Sequence, residues 1–398
     1  MIDYNKVRNL LAEGKSQRQV AKAVGCAQST VSDISSGKLG WTDDSAAKVQ
    51  ELKDNRSVDK ARLRVGLRAE YLYDAAIEVI EEKLVPLKPG KTPTFSNRPE
   101  AVQETAVLIL SDGHHDQVVH PDEVGGLERY NFDISCRRAE TLTDATIKFC
   151  TRTLSGYQFD RLVVLSLGDS TSGLIHDAER KSHFRNQFKN CLAIGALHAG
   201  IVRDLAAHFP QVDVVCVSGN HGRCTDTKEF SGGSHNNWDY MVSKTAAAYC
   251  ASLPNVQWII PDAFSTVVPI HGYRFHISHG DDIAGNSGNP WTGLRKRHER
   301  QAGIHRGANQ SVGEIDAYII GHHHTRGIVN GNGVAFICNG AWLRTDPYAY
   351  IKLGVAGPPE QILFGVHPQR GITWQLPINL LGNDSNVDCR YDYISENL

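Results

Sequence analysis

The chain has 398 residues, 41% hydrophobic and 22% charged, with a formal net charge of -2, enough for one large core plus a smaller module and without the overall charge of a general polyanion binder. No apolar run reaches the roughly 20 residues of a membrane span, and Met1-Ile2-Asp3-Tyr4-Asn5-Lys6 is no basic-then-apolar leader, so a membrane is excluded as partner and a cytoplasmic location is expected. Nine scattered cysteines with no Cys-x-x-Cys pair exclude a disulfide framework and a zinc ribbon, while 18 histidines, several in Gly/Asp/Asn-rich stretches, hint at metal chemistry.

Residues 1–40 form the first unit. Asp3 to Glu13 carries Val7, Leu10 and Leu11 on one helical face and stops at Gly14. Ser16 and Gln19 make a capping-box pattern for a second helix with Val20, Ala21 and Val24 on its apolar side. After the turn Gly25-Cys26-Ala27, a third helix turns Val31 and Ile34 inward and leaves Gln28, Ser29, Thr30, Ser32 and Asp33 outward. The pattern resembles the helix-turn-helix of phage repressors and site-specific recombinases, which implies DNA contact through Gln28, Ser29, Thr30, Ser32 and Lys38. Six Lys/Arg against three acids in this unit give a modest excess for phosphate contact. A small helical adaptor for a protein partner is the competing reading.

Residues 41–104 read as a charged helical connector, with Leu72, Ala76, Val79, Ile80 and Leu84 as an apolar stripe that could pair two copies in a homodimer, followed by a proline-rich linker from Pro86 to Pro99. From residue 105 to 398 the texture is α/β. Strands are expected at Ala106 to Leu110, Leu162 to Leu167, Val212 to Val217, Phe275 to Ile277 and Ala317 to Ile320, and helices at Cys136 to Thr153 and Cys191 to Phe209.

Each expected strand runs into a loop with metal-capable side chains. The blocks are Asp112-Gly113-His114, Gly168-Asp169, Gly219-Asn220-His221, His279-Gly280 and Gly321-His322-His323-His324. In a continued strand His322 and His324 point the same way. Ligands at the carboxyl ends of adjacent strands converge on one crevice, and imidazole with carboxylate suits zinc, manganese or iron.

The order Asp-x-His, Gly-Asp, Gly-Asn-His, His-Gly, Gly-His-x-His resembles the calcineurin-like metallophosphoesterases, which include phosphoprotein phosphatases, cyclic-nucleotide phosphodiesterases and SbcD-type DNA repair nucleases. The resemblance spans about residues 105 to 345 and implies a two-sheet sandwich flanked by helices. It further implies two divalent ions, manganese first with iron, zinc or nickel as alternatives. Asp112, His114, Asp169 and His324 would hold one ion, and Asp169, Asn220, His279 and His322 the other. In that family scheme a bridging hydroxide attacks phosphorus and His221 protonates the leaving oxygen. Gly222 departs from the commoner family form, in which an acid often follows the histidine.

Arg223, Lys228 and Arg326 are candidate holders of substrate phosphates. The basic run Leu294 to Arg300 is either a rail for a nucleic-acid backbone or a solvated helix face. Trp238, in a turn-rich stretch that could form a lid, either stacks on a base or packs. His115 and Asp116 are loop residues or groups that orient the ligands. His323, His176, His183, His198, His208, His271 and His305 are read as structural. A helix-turn-helix joined to a phosphodiester-cleaving domain makes a DNA-directed nuclease. The rival readings are a phosphatase or phosphodiesterase of nucleotides or phosphoproteins, and a non-catalytic DNA-binding regulator.

Overall fold

A computed structural model of the chain describes residues 4–36, 73–90, 100–175, 184, 186–225, 227–285, 289–307, 314–382 and 388–396. The chain divides into two compact units, Met1–Leu72 and Tyr73–Leu398, where the sequence places the last boundary at residue 105.

In the first unit α1 (Tyr4–Ala12), α2 (Gln17–Val24) and α3 (Gln28–Ser35) enclose Val7, Val20, Ala21, Val31 and Ile34. The Ser16 backbone N–H donates to Gln19 Oε1 at 2.9 Å, which satisfies a donor that the start of α2 would otherwise expose. Gly25, at φ 70°, ends α2 in the left-handed region, where a side chain would be strained. Gln28 and Ser29 are exposed, Thr30 and Ser32 half-buried. Lys38 lies outside the described residues.

The second unit opens with a helix over residues 73–83, α4. Its buried face is Tyr73 and Ile80, with Ala76, Ile77 and Leu84 packed beside them. Val79, expected on that stripe, is instead 57% exposed: with Tyr73 and Ile80 seven residues apart on one face, Ile77 fills the position between them. Leu72 lies outside the described residues. The proline-rich segment begins bonded to the unit's body, the Leu87 N–H donating to Tyr249 O at 2.7 Å.

Two sheets form the body. The first has the order β11-β10-β1-β2-β3-β4, from Gly371–Asn379, Glu360–His367, Val102–Leu110, Tyr157–Ser166, Gln211–Cys216 and Val256–Ile259. The second has the order β5-β6-β7-β9-β8, from Ser265–Ile270, Tyr273–Ser278, Ala317–Ile320, Val334–Cys338 and Gly327–Gly331. The strands β1 to β4 are mutually parallel, as are β6, β7 and β9. Strand alternation sorts the core into layers. Val107, Ile109, Val163, Leu165 and Val215 meet Phe275, Ile277, Ile319 and Ile337 between the sheets. Ala106, Leu108, Leu162, Val164 and Val214 point the other way, onto α5 (Phe132–Lys148), α6 (Gln187–Ala206) and α7 (Trp238–Tyr249). On the far face of the second sheet, Tyr318, Ile320 and Phe336 cover Leu294 of α8 (Trp291–Gly307). The protein is thus α/β, a two-sheet sandwich flanked by helices. No helix among the described residues is long and apolar enough to cross a membrane.

Candidate metal centre

Asp112 follows β1, Asp169 follows β2, Asn220 and His221 follow β3, His279 follows β6, and His322 and His324 follow β7. Because the strands within each set are parallel, all five loops leave from one edge of the sandwich. Seven non-glycine residues among those described have left-handed backbone, and five of them are Asp112, His114, Asp169, His322 and His324. That conformation is costly for residues with a Cβ and concentrates where a site demands it. It also alters how the last two histidines arrive. With φ of 65° and 51°, His322 and His324 do not follow strand alternation; each reaches a different part of the cluster. Glycine is required where β2 and β3 loops touch: a Cβ on Gly219 would stand 2.1 Å from Asp169 Oδ1.

Three sets of donor atoms lie within 4.8 Å of one another: Asp112 with His114 and His324, His114 with Asp169 and His221, and Asp169 with His279 and His322. His114 and Asp169 are each shared between neighbouring sets, so the cluster is continuous. Within it, His114 Nε2 is 3.3 Å from His324 Nε2, and His279 Nε2 is 2.9 Å from Asp169 Oδ2 and 3.0 Å from Asn220 Oδ1. The His279 Nδ1 atom is held by the Leu167 carbonyl at 2.8 Å, leaving Nε2 to face the cluster. The first and last blocks are tied directly, the His322 N–H donating to Asp112 Oδ1 at 2.8 Å. His323 belongs to none of the three sets.

Electrostatically the cluster consists of ionised acids among imidazoles. Burial alone would raise the Asp112 carboxyl, yet the hydrogen bond and charge of His324 bring it to about 2. Asp169 is likewise held well below its ordinary value by His279 and His221 against the opposing effect of burial. Burial lowers His279, but Asp169 outweighs it and lifts the imidazole to about 10. Burial drives His114 well down, and burial with His279 brings His322 to about 3, so both present neutral nitrogen lone pairs. Asp112 Oδ2 is buried with no hydrogen-bond partner. A buried, unpartnered carboxylate oxygen in a cluster that also offers the neutral nitrogens of His114 and His322 is what a divalent cation would satisfy, so the residues fit metal ions.

Other residues support the cluster. Buried Asp239, at the start of α7, accepts backbone N–H groups from Asp169, Gly219 and Ser170 at 2.8, 2.9 and 3.0 Å. Buried Asp116 accepts the Ser172 N–H at 2.7 Å and the Thr171 hydroxyl at 2.9 Å. His115 turns away from the cluster to Ser135 Oγ at 2.6 Å and His198 Nε2 at 3.1 Å. Asp116 was readable as a neighbour of the first block. The only sequence trace of Asp239 is its place at a helix start after a turn-rich stretch.

The candidate phosphate holders are each engaged elsewhere. Lys228 pairs with Asp281 at 2.5 Å and Arg326 with Glu360 at 2.8 Å. Arg223 donates to the carbonyls of Thr225 and Asn220 at 3.1 and 3.3 Å. In the basic run, Arg297 pairs with Asp282, and Arg295 lies 3.7 Å from Glu299. Trp238 packs edge-on against Tyr73 and Phe188. His176, His183 and the side chain of His305 lie outside the described residues.

Neither a family model nor a curated protein matches the chain. Solved structures do match, at low similarity. An archaeal phosphodiesterase is 12% identical, covering 69% of this chain and 99% of its own, with a TM-score of 0.31. Vacuolar protein sorting 29 from Cryptosporidium parvum is 13% identical, covering 69% and 98%, with a TM-score of 0.29. Vps29 from Entamoeba histolytica, complexed with zinc, is 11% identical, covering 70% and 100%, with a TM-score of 0.28. At such scores the likenesses carry no further weight, and the site stands on its own residues.

Proposed function

We propose that the chain is a metal-dependent phosphodiesterase acting on DNA. The observation that carries this reading is the convergence of five strand-end blocks on one continuous, buried Asp/His cluster with a shared Asp169. Asp112, His114, Asp169 and His324 would hold one divalent ion, and Asp169, Asn220, His279 and His322 the other, with manganese first and iron, zinc or nickel as alternatives. When bound, such a pair supplies Lewis-acid activation of water and of the phosphoryl oxygens.

The protein's own contribution to the chemistry is the placing of one proton. His221 Nδ1 faces the Ser172 carbonyl at 3.3 Å, so it carries hydrogen, and Nε2 stands 3.9 Å from Asp169 Oδ2. The ring thereby turns Nε2 toward the cluster, the position from which a proton would pass to the leaving oxygen. Ser172 thus supplies the partner that Gly222 cannot. The DNA assignment rests on the first unit, in which α3 exposes Gln28 and Ser29 and resembles a recognition helix.

The test is cleavage of end-labelled single- and double-stranded DNA by metal-stripped protein with manganese restored, with His221→Ala beside it. Manganese-dependent fragments that vanish in the variant support the reading. Intact DNA with hydrolysis of bis(p-nitrophenyl) phosphate would move the substrate to nucleotides or phosphoproteins. Hydrolysis of neither would favour the non-catalytic regulator.

A further inference from the structure

A cavity of about 420 Å³ opens at the N-terminal end of α5, lined by Arg129, Arg137, Arg138 and Arg344 with Glu128 as its acid. Four guanidiniums around one carboxylate leave a strong positive excess in a concave space of ligand size. The excess is not neutralised elsewhere. Arg138, buried at 1% exposure, uses Glu128 (3.0 and 3.1 Å) and the Trp342 carbonyl. The structure gives the guanidiniums of Arg129, Arg137 and Arg344 no hydrogen bond or ion pair among the described residues, and Arg137 Nε is buried without a partner. The carboxylate is consumed in shaping the floor: besides Arg138, it accepts the backbone N–H groups of Arg129 and Arg344 at 2.9 and 2.7 Å.

The cavity shares its edge of the sandwich with the metal centre. Helix α5 begins after β1, the strand that ends at Asp112, and Arg344 comes from the segment after β9, which is parallel to β7. Trp342 links the two: its carbonyl accepts from Arg138, and its N–H donates to the Asp112 carbonyl at 3.1 Å. Tyr130 adds a second tie, its hydroxyl donating to the Gly113 carbonyl at 2.7 Å.

We propose that this cavity is a second phosphate subsite, which takes a backbone phosphate flanking the scissile one in a nucleic-acid strand held at the metal centre. Planar guanidiniums with free N–H groups match phosphate oxygens bidentately, and a flanking phosphate is what a strand has and a small diester lacks. The inference rests on the phosphodiesterase reading. It supplies the free cations that Arg223, Lys228 and Arg326 do not.

The test replaces Arg129, Arg137 and Arg344 together by Gln and leaves the buried Arg138–Glu128 pair intact. For a short single-stranded oligonucleotide, KM is expected to rise about tenfold or more with kcat unchanged, while hydrolysis of bis(p-nitrophenyl) phosphate stays at the wild-type level. Oligonucleotide affinity measured with calcium in place of manganese should fall and become less salt-dependent. An unchanged KM and affinity overturns the proposal, and so does an equal loss on the small diester, which would make the arginines structural. Inorganic phosphate that binds the wild type and not the variant, with oligonucleotide affinity unchanged, would make the cavity an independent anion site and also overturn it. If the chain cleaves no phosphodiester, the function above fails, and the affinity comparison still decides the cavity.

Discussion

The carboxylate of Asp239 accepts the backbone N–H of Asp169 at 2.8 Å, so the central carboxylate of the cluster is positioned by a residue 70 places further along the chain. The same carboxylate gathers the N–H groups of Gly219 and Ser170, locking the loops after β2 and β3 together. In Asp239→Asn an amide N–H must face backbone N–H donors. Metal affinity is expected to fall about 10- to 100-fold with the fold retained, as calorimetric titration of manganese and far-UV circular dichroism would show. Unchanged affinity would remove Asp239 from the positioning of the site.

Asp112 offers a two-sided test. Its Oδ2 is buried with no partner, and its backbone at φ 54° suits asparagine. Asp112→Asn removes the charge that the hydrogen bond and charge of His324 stabilise against burial, so the metal-free variant is expected to melt somewhat below the metal-free wild type at neutral pH. The wild type should gain about 2.7 kcal/mol from a metal at 100 times its dissociation constant, a rise of several degrees in Tm that the variant loses. A variant whose metal-induced rise in Tm equals that of the wild type would contradict the assignment.

His221 separates turnover from metal binding. His221→Ala should keep the wild-type metal content, measured by elemental analysis, and lose about 10²- to 10⁴-fold in kcat. Because its Nε2 lies close to Asp169 and His114, loss of metal in this variant would make it a ligand instead of the proton donor.

Acid should weaken the fold through a buried histidine pair behind the site. Burial pushes His198 down to about 4, and burial with the His198 ring pushes His115 well below its ordinary value. In the unfolded chain both titrate near 6.5. The native state therefore binds fewer protons between these values, and stability is lost as pH falls from 6.5 toward 4. At about 1.4 kcal/mol per pH unit, His198 alone accounts for about 3 kcal/mol over that window. Urea midpoints at pH 7 and pH 4.5 should differ less in His198→Gln than in the wild type. Equal differences would show that the pair is not neutral in the native protein.

The metal blocks were legible because each is a strand followed by a ligand beside a glycine, a pattern confined to a few adjacent residues. Asp239 was not, since it acts on backbone N–H groups, which leave no trace in side-chain identity. Val79 was misplaced because the apolar set of α4 admits two neighbouring faces, and only the packing of Tyr73 selects the one with Ile77. The arginine cavity was illegible for a third reason. Its cations come from Arg129, Arg137 with Arg138, and Arg344, segments that only the fold assembles, whereas the conspicuous run at residues 294–300 includes Arg297 and Arg295, which pair with Asp282 and Glu299.

The measurement that bears most directly on the central claim is calorimetric titration of manganese into metal-stripped wild type and Asp169→Asn. Two equivalents per chain in the wild type, with both sites lost or severely weakened in the variant, is the predicted result. Binding of two equivalents by Asp169→Asn at wild-type affinity, or no saturable binding by the wild type, would contradict a two-metal centre built on a shared Asp169.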